Sequence, residues 1–171
     1  LPRGVPVVRT RHVSTAVNRS VATRWLYQRA TQHIVTTGEA LRRQLHRDNG
    51  YDLDSMTSVP TGIDLNRFGP LNREGCRTAL GLEATTNLIG IVATLRDWKG
   101  HSYLFEAMQI LSARHPELQL LVIGDGPYEP TLRAKVMSLG LQHRVRFVGR
   151  QENIPEWLGA LDVFVLPSYG D

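Results

Sequence analysis

The chain has 171 residues, of which 42% are hydrophobic and 21% are charged, and its formal net charge is +4. This composition is typical of a soluble globular protein, and no apolar run approaches the roughly 20 residues that a membrane-spanning helix needs. Cys76 is the one cysteine, which excludes an intrachain disulfide and a cysteine-cluster metal site and favours a reducing, cytoplasmic setting.

The first 70 residues predict a strand, helix, strand, helix, strand order. Apolar and β-branched runs predict strands at 5–13, 33–37 and 56–59. Helical spacing of apolar residues predicts helices at about 17–32 and directly after Thr37, whose hydroxyl we expect to cap the second one. The Pro/Gly-rich stretch 60–70 follows, and we place a domain boundary at its end, between residues 1–70 and 71–171.

Residues 71–171 alternate strands and helices with short connections. The predicted strands are 87–95, 118–123, 145–148 and 163–166. The predicted helices are 100–113, 130–138 and 155–160. Near-continuous apolar strands in this order predict an α/β fold in which helices cover both faces of a parallel sheet. Because ligands of such sheets bind beyond the carboxyl ends of the strands, each loop that follows a strand is a candidate site.

The loop after the first strand of this second part carries two cations, Arg96 and Lys99. A guanidinium binds two phosphate oxygens at once and an ammonium adds a point charge, so the pair suits a diphosphate and the negative charge that develops on a leaving nucleotide. In isolation, such a pair is more often a solvated surface feature.

Glycines follow the next strand, in the run Gly-Asp-Gly-Pro at 124–127. Glycine lets the backbone approach a ligand closely or take a positive φ, and the run is also that of a tight strand-to-helix turn. It is not the dinucleotide-binding fingerprint, because Glu129 stands where the third glycine of that motif is required.

Five motifs occur together along the chain. They are Pro-Thr-Gly-Ile-Asp at 60–64 with Arg67-Phe68, Trp-Lys-Gly-His at 98–101, Gly-Asp-Gly-Pro at 124–127, Val-Arg-Phe-Val-Gly at 145–149 and Ala-Leu-Asp-Val-Phe-Val-Leu-Pro-Ser at 160–168. In this combination and order the chain resembles glycosyltransferase family 4, whose members have the GT-B fold. The resemblance implies an α/β fold: an incomplete GT-B type Rossmann-like parallel sheet in 71–171, which begins the nucleotide-sugar donor domain. Residues 1–70 are then the last part of a second Rossmann-like domain, the acceptor domain, plus the interdomain crossover.

The resemblance also implies donor-binding residues. Lys99 matches the lysine that binds the donor diphosphate. The family's arginine stands five residues before that lysine, which is Thr94 here, so either Thr94 or Arg96 takes its role. Gly149 and Arg150 match the turn that contacts the nucleobase.

Further positions follow from the same resemblance. Gly126 is expected on the sugar-diphosphate side of the cleft, and Ser168 and Asp171 begin the loop that leads to the family's two spaced glutamates. His12 resembles the acceptor-domain histidine that points into the cleft, so we expect it to be the catalytic residue that binds a sugar hydroxyl or positions the reacting groups. A structural role in a strand-end turn is the alternative for His12.

The implied activity is a retaining transfer of a sugar from a UDP- or GDP-sugar to a saccharide or lipid-linked acceptor. No cofactor and no metal are expected, because cationic side chains and helix N-termini hold the diphosphate. Residues 1–70 hold ten Arg, no Lys and five acidic residues. This charge suits a cytoplasmic protein in peripheral contact with the anionic inner face of the plasma membrane, in bacterial polysaccharide or lipopolysaccharide synthesis. No motif typical of nucleic-acid binding is present, so no nucleic-acid partner is expected.

Two alternatives remain open from the sequence. A nucleotide-sugar 2-epimerase shares the two-domain architecture, and a flavodoxin-like binding module satisfies the pattern of the second part alone. The chain starts without an initiator Met or a secretory-signal pattern and stops before the family's paired glutamates. We therefore interpret it as an internal fragment and expect it to lack useful transferase activity by itself.

Overall fold

A computed structural model describes residues 4–13 and 15–169. They form two compact units, of which the first ends at Ile63 and the second begins at Asp64. The division falls within the Pro/Gly-rich stretch 60–70, and the assignment of the two parts to an acceptor and a donor domain stays a prediction. None of the helices in the described ranges is long and apolar enough to cross a membrane.

The first unit is a three-stranded parallel sheet with a helix after each of its first two strands. Its elements are β1 (Val8–Arg11), α1 (Val21–Gln28), β2 (His33–Thr36), α2 (Glu39–Asn49), a 3-10 turn (Leu53–Ser55) and β3 (Met56–Ser58). β2 is the central strand, with Ile34 opposite Met56 on β3. Leu41 and Leu45 of α2 are buried with these two residues, so the core of this unit lies under α2.

The elements of the first unit differ from the prediction at their ends. The strand predicted at 5–13 pairs with β2 over Val8–Arg11. The helix predicted from residue 17 begins at Val21, because the Ser20 hydroxyl accepts a hydrogen bond from Thr23 N at 3.2 Å and caps it. The predicted cap at Thr37 is wrong: Gly38 is the N-cap of α2 and supplies no side-chain hydrogen bond.

The second unit is a four-stranded parallel sheet in the order β6-β5-β4-β7. Its strands are β4 (Leu88–Val92), β5 (Gln119–Ile123), β6 (Val145–Gly149) and β7 (Val163–Phe164). Its helices are α3 (Arg73–Ala79), α4 (His101–Ser112), α5 (Glu129–Ser138) and α6 (Ile154–Ala160), with a 3-10 turn at Asp97–Lys99. The predicted alternation of strand and helix is confirmed for this unit.

Both faces of this sheet are covered. Leu120 and Val122 of β5 belong to a buried cluster with Phe105 of α4, whereas Leu121 of the same strand belongs to another cluster with Trp157 of α6. Because successive side chains of a strand point to opposite faces, β5 is buried on both sides. This is the doubly covered parallel sheet that the near-continuous apolar strands predict.

Helix α3 is an element that the sequence reasoning missed. It has few apolar residues and depends on its partners: Asn72 caps it through a side-chain hydrogen bond from Gly75 N at 2.8 Å. Arg77 on its buried side donates to the Ala160 carbonyl at 2.9 Å and to the Asp162 carboxylate at 2.8 Å. α3 therefore anchors the segment that leads from α6 into β7.

Candidate functional site

The loops after β4, β5, β6 and β7 come together at the carboxyl edge of the second sheet. The four strands are parallel, so all of these loops leave the sheet on the same side. This is the position at which sheets of this class bind ligands. The predicted donor-binding residues that the structure describes lie at this edge: Gly149 is the last residue of β6, and the others, Arg96, Lys99, Gly126, Arg150 and Ser168, lie on the loops.

The loop after β4 carries the two predicted diphosphate ligands. Arg96 has extended backbone at the start of the 3-10 turn, and its guanidinium carbon lies 5.7 Å from the centre of the Trp98 ring. Such an arrangement stabilises the cation over the ring face while leaving its donors available. Lys99 ends the turn and is half-buried. The exposed Thr94, the other candidate for the arginine role, lies two residues before Arg96.

Backbone hydrogen bonds hold this loop against the loop after β5. Leu95 N donates to the Asp125 carbonyl at 2.8 Å, and Tyr128 N donates back to the Leu95 carbonyl at 3.2 Å. Gly126 has φ +159°, and a Cβ added there would lie 2.5 Å from the Leu95 carbonyl oxygen. The Gly-Asp-Gly-Pro run is therefore required for close packing between two loops, in addition to any approach to a ligand.

The loop after β7 is held against the other side of the same segment. Tyr169 N donates to the Trp98 carbonyl at 3.0 Å. Gly100 has φ +77°, and a Cβ there would lie 2.0 Å from the carbonyl oxygen of Pro167. These contacts bring the exposed Ser168 beside the loop that carries Lys99. Asp171, the other residue predicted on this loop, lies outside the described residues.

A cavity of about 310 Å³ opens at the ends of β4, β5 and β6. Its polar lining comes from Thr94, Asp125, Arg150 and Gln151. Gly149 ends β6, and its carbonyl accepts a hydrogen bond from Gly124 N at 2.8 Å. The structure thus brings Arg150, predicted at the base-contacting turn, and Thr94, a candidate for the diphosphate arginine role, to one cavity. Both roles stay predictions.

Gln151 gives this cavity a fixed wall. Its side-chain Nε2 donates to the Val148 carbonyl at 2.7 Å, and its Oε1 accepts from Trp157 Nε1 at 3.2 Å. Both ends of the amide are engaged within the protein, and Trp157 is buried. The exposed Arg150 is therefore the side chain of this turn that is available to a ligand.

His101 is a residue that the sequence reasoning did not single out. It is fully buried at the start of α4, directly behind Lys99 and Gly100, and neither ring nitrogen has a hydrogen-bond partner among the described residues. Burial is the main cause that lowers the pKa of His101. The backbone of Arg96 acts to raise this pKa, and the positive charge of Lys99 acts to lower it. The imidazole is therefore neutral near pH 7. The sequence did contain a signal for this burial: His101 lies on the same face of α4 as the apolar residues Leu104, Phe105 and Met108.

His12, the predicted catalytic residue, lies in the first unit. It follows β1 directly and is exposed. The Arg11 guanidinium beside it donates to the Thr15 carbonyl. His12 therefore stands at the carboxyl edge of its own parallel sheet, and its role in a reaction stays a prediction. Within residues 4–13 and 15–169, no group of three or more His, Cys, Asp or Glu side chains is placed to hold a metal ion.

Comparison with known proteins identifies relatives of the chain. Residues 72–170 match the family described as "Glycosyl transferases group 1". The lipopolysaccharide core biosynthesis mannosyltransferase LpsB of Rhizobium meliloti is 35% identical over 118 residues, which are 66% of this chain and 34% of that protein. The GDP-mannose-dependent monoacylated alpha-(1-6)-phosphatidylinositol monomannoside mannosyltransferase of Corynebacterium glutamicum is 36% identical over 115 residues, which are 64% of this chain and 30% of that protein. The chain thus spans about a third of the length of these curated relatives.

Solved structures agree with this relationship at the level of the fold. The crystal structure of HepE from Anabaena, in complex with UDP, superimposes with a TM-score of 0.80 at 22% sequence identity and covers 95% of this chain and 47% of that chain. The GT-B type α/β fold predicted from the motifs is confirmed.

Proposed function

The chain belongs to the group 1 glycosyltransferases, as its motifs predict, and we propose that it works in a retaining transferase that moves a sugar from a nucleotide sugar to an acceptor hydroxyl. The donor in this proposal is a UDP- or GDP-sugar. The observation that carries it is the placement of Arg96 and Lys99 on one loop at the carboxyl edge of the sheet. Backbone contacts with both neighbouring loops hold that loop in place.

The main chemical requirement on the donor side is positive charge that is held in a fixed position. When the bond between the anomeric carbon and the diphosphate breaks, negative charge accumulates on the leaving nucleoside diphosphate. The Lys99 ammonium and the Arg96 guanidinium are placed to stabilise that charge without the loop having to reorganise. We propose that these side chains replace a metal ion and that no cofactor takes part, with Gly126 and Ser168 lining the diphosphate and sugar and Gly149 and Arg150 contacting the base.

The acceptor in this proposal is a saccharide or a lipid-linked saccharide of the bacterial cell envelope. The Rhizobium relative is named for lipopolysaccharide core synthesis and the Corynebacterium relative for a phosphatidylinositol mannoside. His12 binds or orients the acceptor hydroxyl. The Arg-rich first unit, with the exposed Arg43 and Arg47 on α2, contacts the anionic inner face of the plasma membrane, where each such charge contributes about 1 kcal/mol to binding.

Calorimetry with GDP, UDP and inorganic pyrophosphate tests the donor site. We expect weak binding of all three, and we expect Lys99→Ala to weaken it by about 1–3 kcal/mol, or roughly 5- to 150-fold, as for loss of a charge-assisted hydrogen bond. Lys135→Ala is a matched control, because Lys135 is the chain's other lysine and pairs with Glu106 at 2.7 Å. An equal effect of the two substitutions would remove Lys99 from the site.

The same titration decides between two candidates for the second cation position. If Arg96 takes the arginine role, Arg96→Ala weakens pyrophosphate binding and Thr94→Ala does not. Product analysis with a nucleotide sugar, on a longer protein that contains this chain, separates the enzyme classes, because a transferase releases nucleoside diphosphate whereas a 2-epimerase interconverts the sugar and leaves the nucleotide attached.

A further inference from the structure

Arg67 lies before the residues 72–170 that match the family, yet its side chain reaches the loop after β6. Asp64 fixes the turn that presents it: the Asp64 carboxylate accepts from Asn66 N at 3.0 Å, and the Asp64 carbonyl accepts from Phe68 N at 2.9 Å. The Arg67 guanidinium then donates to the Glu152 carbonyl at 2.9 Å. Its carbon also lies 5.6 Å from the centre of the Phe68 ring. The crossover segment and the loop after β6 are thus joined by one side chain.

The loop that Arg67 contacts forms part of the wall of the 310 Å³ cavity. Gly149 is tied to β5 through its carbonyl, and the Gln151 amide is tied to Val148 and Trp157. The contact from Arg67 fixes the next residue, Glu152. Arg150 therefore projects from a segment that is held on both sides, which restricts where its guanidinium can be presented.

The other side of this loop is not packed against the core. A second cavity of about 540 Å³ lies there, lined by Arg67, Leu71, Glu152, Asn153, Pro155 and Glu156. Arg67 and Glu152 both line this cavity, so the hydrogen bond between them lies at its edge. The bond restrains Glu152 at a point where the loop borders open space.

We propose that Arg67 is a positioning residue for the nucleobase end of the donor site. By holding Glu152, it keeps the loop 149–153 in the conformation in which Arg150 and the backbone face the base and ribose. The inference rests on the proposed function, since it needs a nucleotide in the 310 Å³ cavity. It adds that the crossover segment controls binding of the nucleoside part and leaves binding of the diphosphate part to Lys99 and Arg96.

Calorimetry with GDP, UDP and inorganic pyrophosphate tests this on the intact chain and on Arg67→Met, which keeps the apolar stem and removes the donor. We expect GDP and UDP to bind about 3- to 10-fold more weakly to the variant, as for loss of one ordinary, solvent-exposed hydrogen bond. We expect the pyrophosphate affinity to change by less than about twofold, because the substitution leaves the loop that carries Arg96 and Lys99 unchanged. Arg67→Lys keeps a donor and should recover most of the loss.

Arg114→Ala serves as the control, since Arg114 is also exposed and follows α4 at the opposite end of the sheet. Equal losses for all three ligands would show a general disturbance of the unit and would overturn the proposal, as would unchanged GDP and UDP affinities. Failure of the unsubstituted chain to bind any of the three would refute the proposed donor site, and the role of Arg67 would fall with it. Binding of all three without selective loss in Arg67→Met would refute the role of Arg67 alone.

Discussion

The ion pair between the buried Arg77 and the partly exposed Asp162 should contribute strongly to the stability of the second unit. Arg77 is 2% exposed and makes hydrogen bonds to the carbonyls of Ala84 and Ala160 and to the Asp162 carboxylate. Arg77→Met preserves most of the side-chain volume while removing the charge and all of these donors. The Asp162 carboxylate keeps its hydrogen bond from Leu88 N at 2.8 Å and its ion pair with Arg73.

The cost of this change follows from what remains around the carboxylate. Removing one partner of a buried ion pair costs about 3–5 kcal/mol, because the other charge is left buried and uncompensated. Here the side chain of Asp162 is 25% exposed and keeps two partners, so the lower end, about 3 kcal/mol, is expected. Domains of this kind are stable by about 5–15 kcal/mol, so the variant should lose a large fraction of its stability.

Urea unfolding followed by tryptophan fluorescence, to which the buried Trp157 contributes, measures this loss. Arg73→Met is the matched control: it removes the other arginine from the same carboxylate, but its side chain is 60% exposed and the pair should contribute less than about 1 kcal/mol. A loss below about 1 kcal/mol for Arg77→Met, or equal losses for the two variants, would refute the assignment of Arg77 as the anchor of α3 and β7.

Other consequences can be measured on the same chain. Burial raises the pKa of Asp162, but hydrogen bonds from Leu88 N and Arg77 and the charges of Arg77 and Arg73 outweigh it, so the pKa lies below its ordinary value. The ionised Asp162 therefore contributes its full stabilisation above the unfolded-state pKa of about 3.9, and this contribution is lost as the pH falls through the folded-state pKa. In urea unfolding between pH 7 and pH 2, the unfolding free energy should fall more steeply for the parent chain than for Asp162→Asn. Gly126→Ala should lower the unfolding free energy more than Gly140→Ala, since both have positive φ but only at Gly126 does the added Cβ meet backbone. No sugar transfer from UDP-glucose or GDP-mannose should be detected with these 171 residues alone, because they span about a third of their relatives and positioning of donor against acceptor is worth roughly 7–11 kcal/mol; turnover in a radiolabel assay would contradict this.

The fold of the second unit was predictable because its central strands β4 and β5 are apolar and largely buried. The run Leu88–Val92 has no polar residue, and β5 is apolar after Gln119, so hydrophobic pattern alone separates these strands from the amphipathic helices. In the first unit the apolar run 5–13 extends beyond the part that pairs with β2. Helix α3 escaped prediction because Arg77 is stabilised by residues about 85 positions away, which no local pattern reveals.

The position of the candidate site was predictable, but its packing was not. The carboxyl-edge rule for parallel sheets places Arg96, Lys99 and Arg150 on neighbouring loops. It does not show that Gly126 packs on Leu95. Nor does it show that His101 is buried behind Lys99, since both facts depend on contacts between loops that are distant in sequence.

The contacts that hold the loop after β4 in place help to decide whether Thr94 or Arg96 makes the second diphosphate contact. Leu95 and Trp98 make the contacts that fix the loop, and these contacts are between backbone atoms. Substitution at Thr94 or Arg96 therefore leaves the path of the backbone intact, so a cation can move by two positions along the loop without a change in how the loop is held. Arg96 is further restrained by the Trp98 ring at 5.7 Å, an interaction worth about 0.5–1 kcal/mol at an exposed site. The Trp98 ring thus restrains the guanidinium at 96, and for this reason we propose Arg96 rather than Thr94 for the second diphosphate contact, which the pyrophosphate titration of the two alanine variants tests.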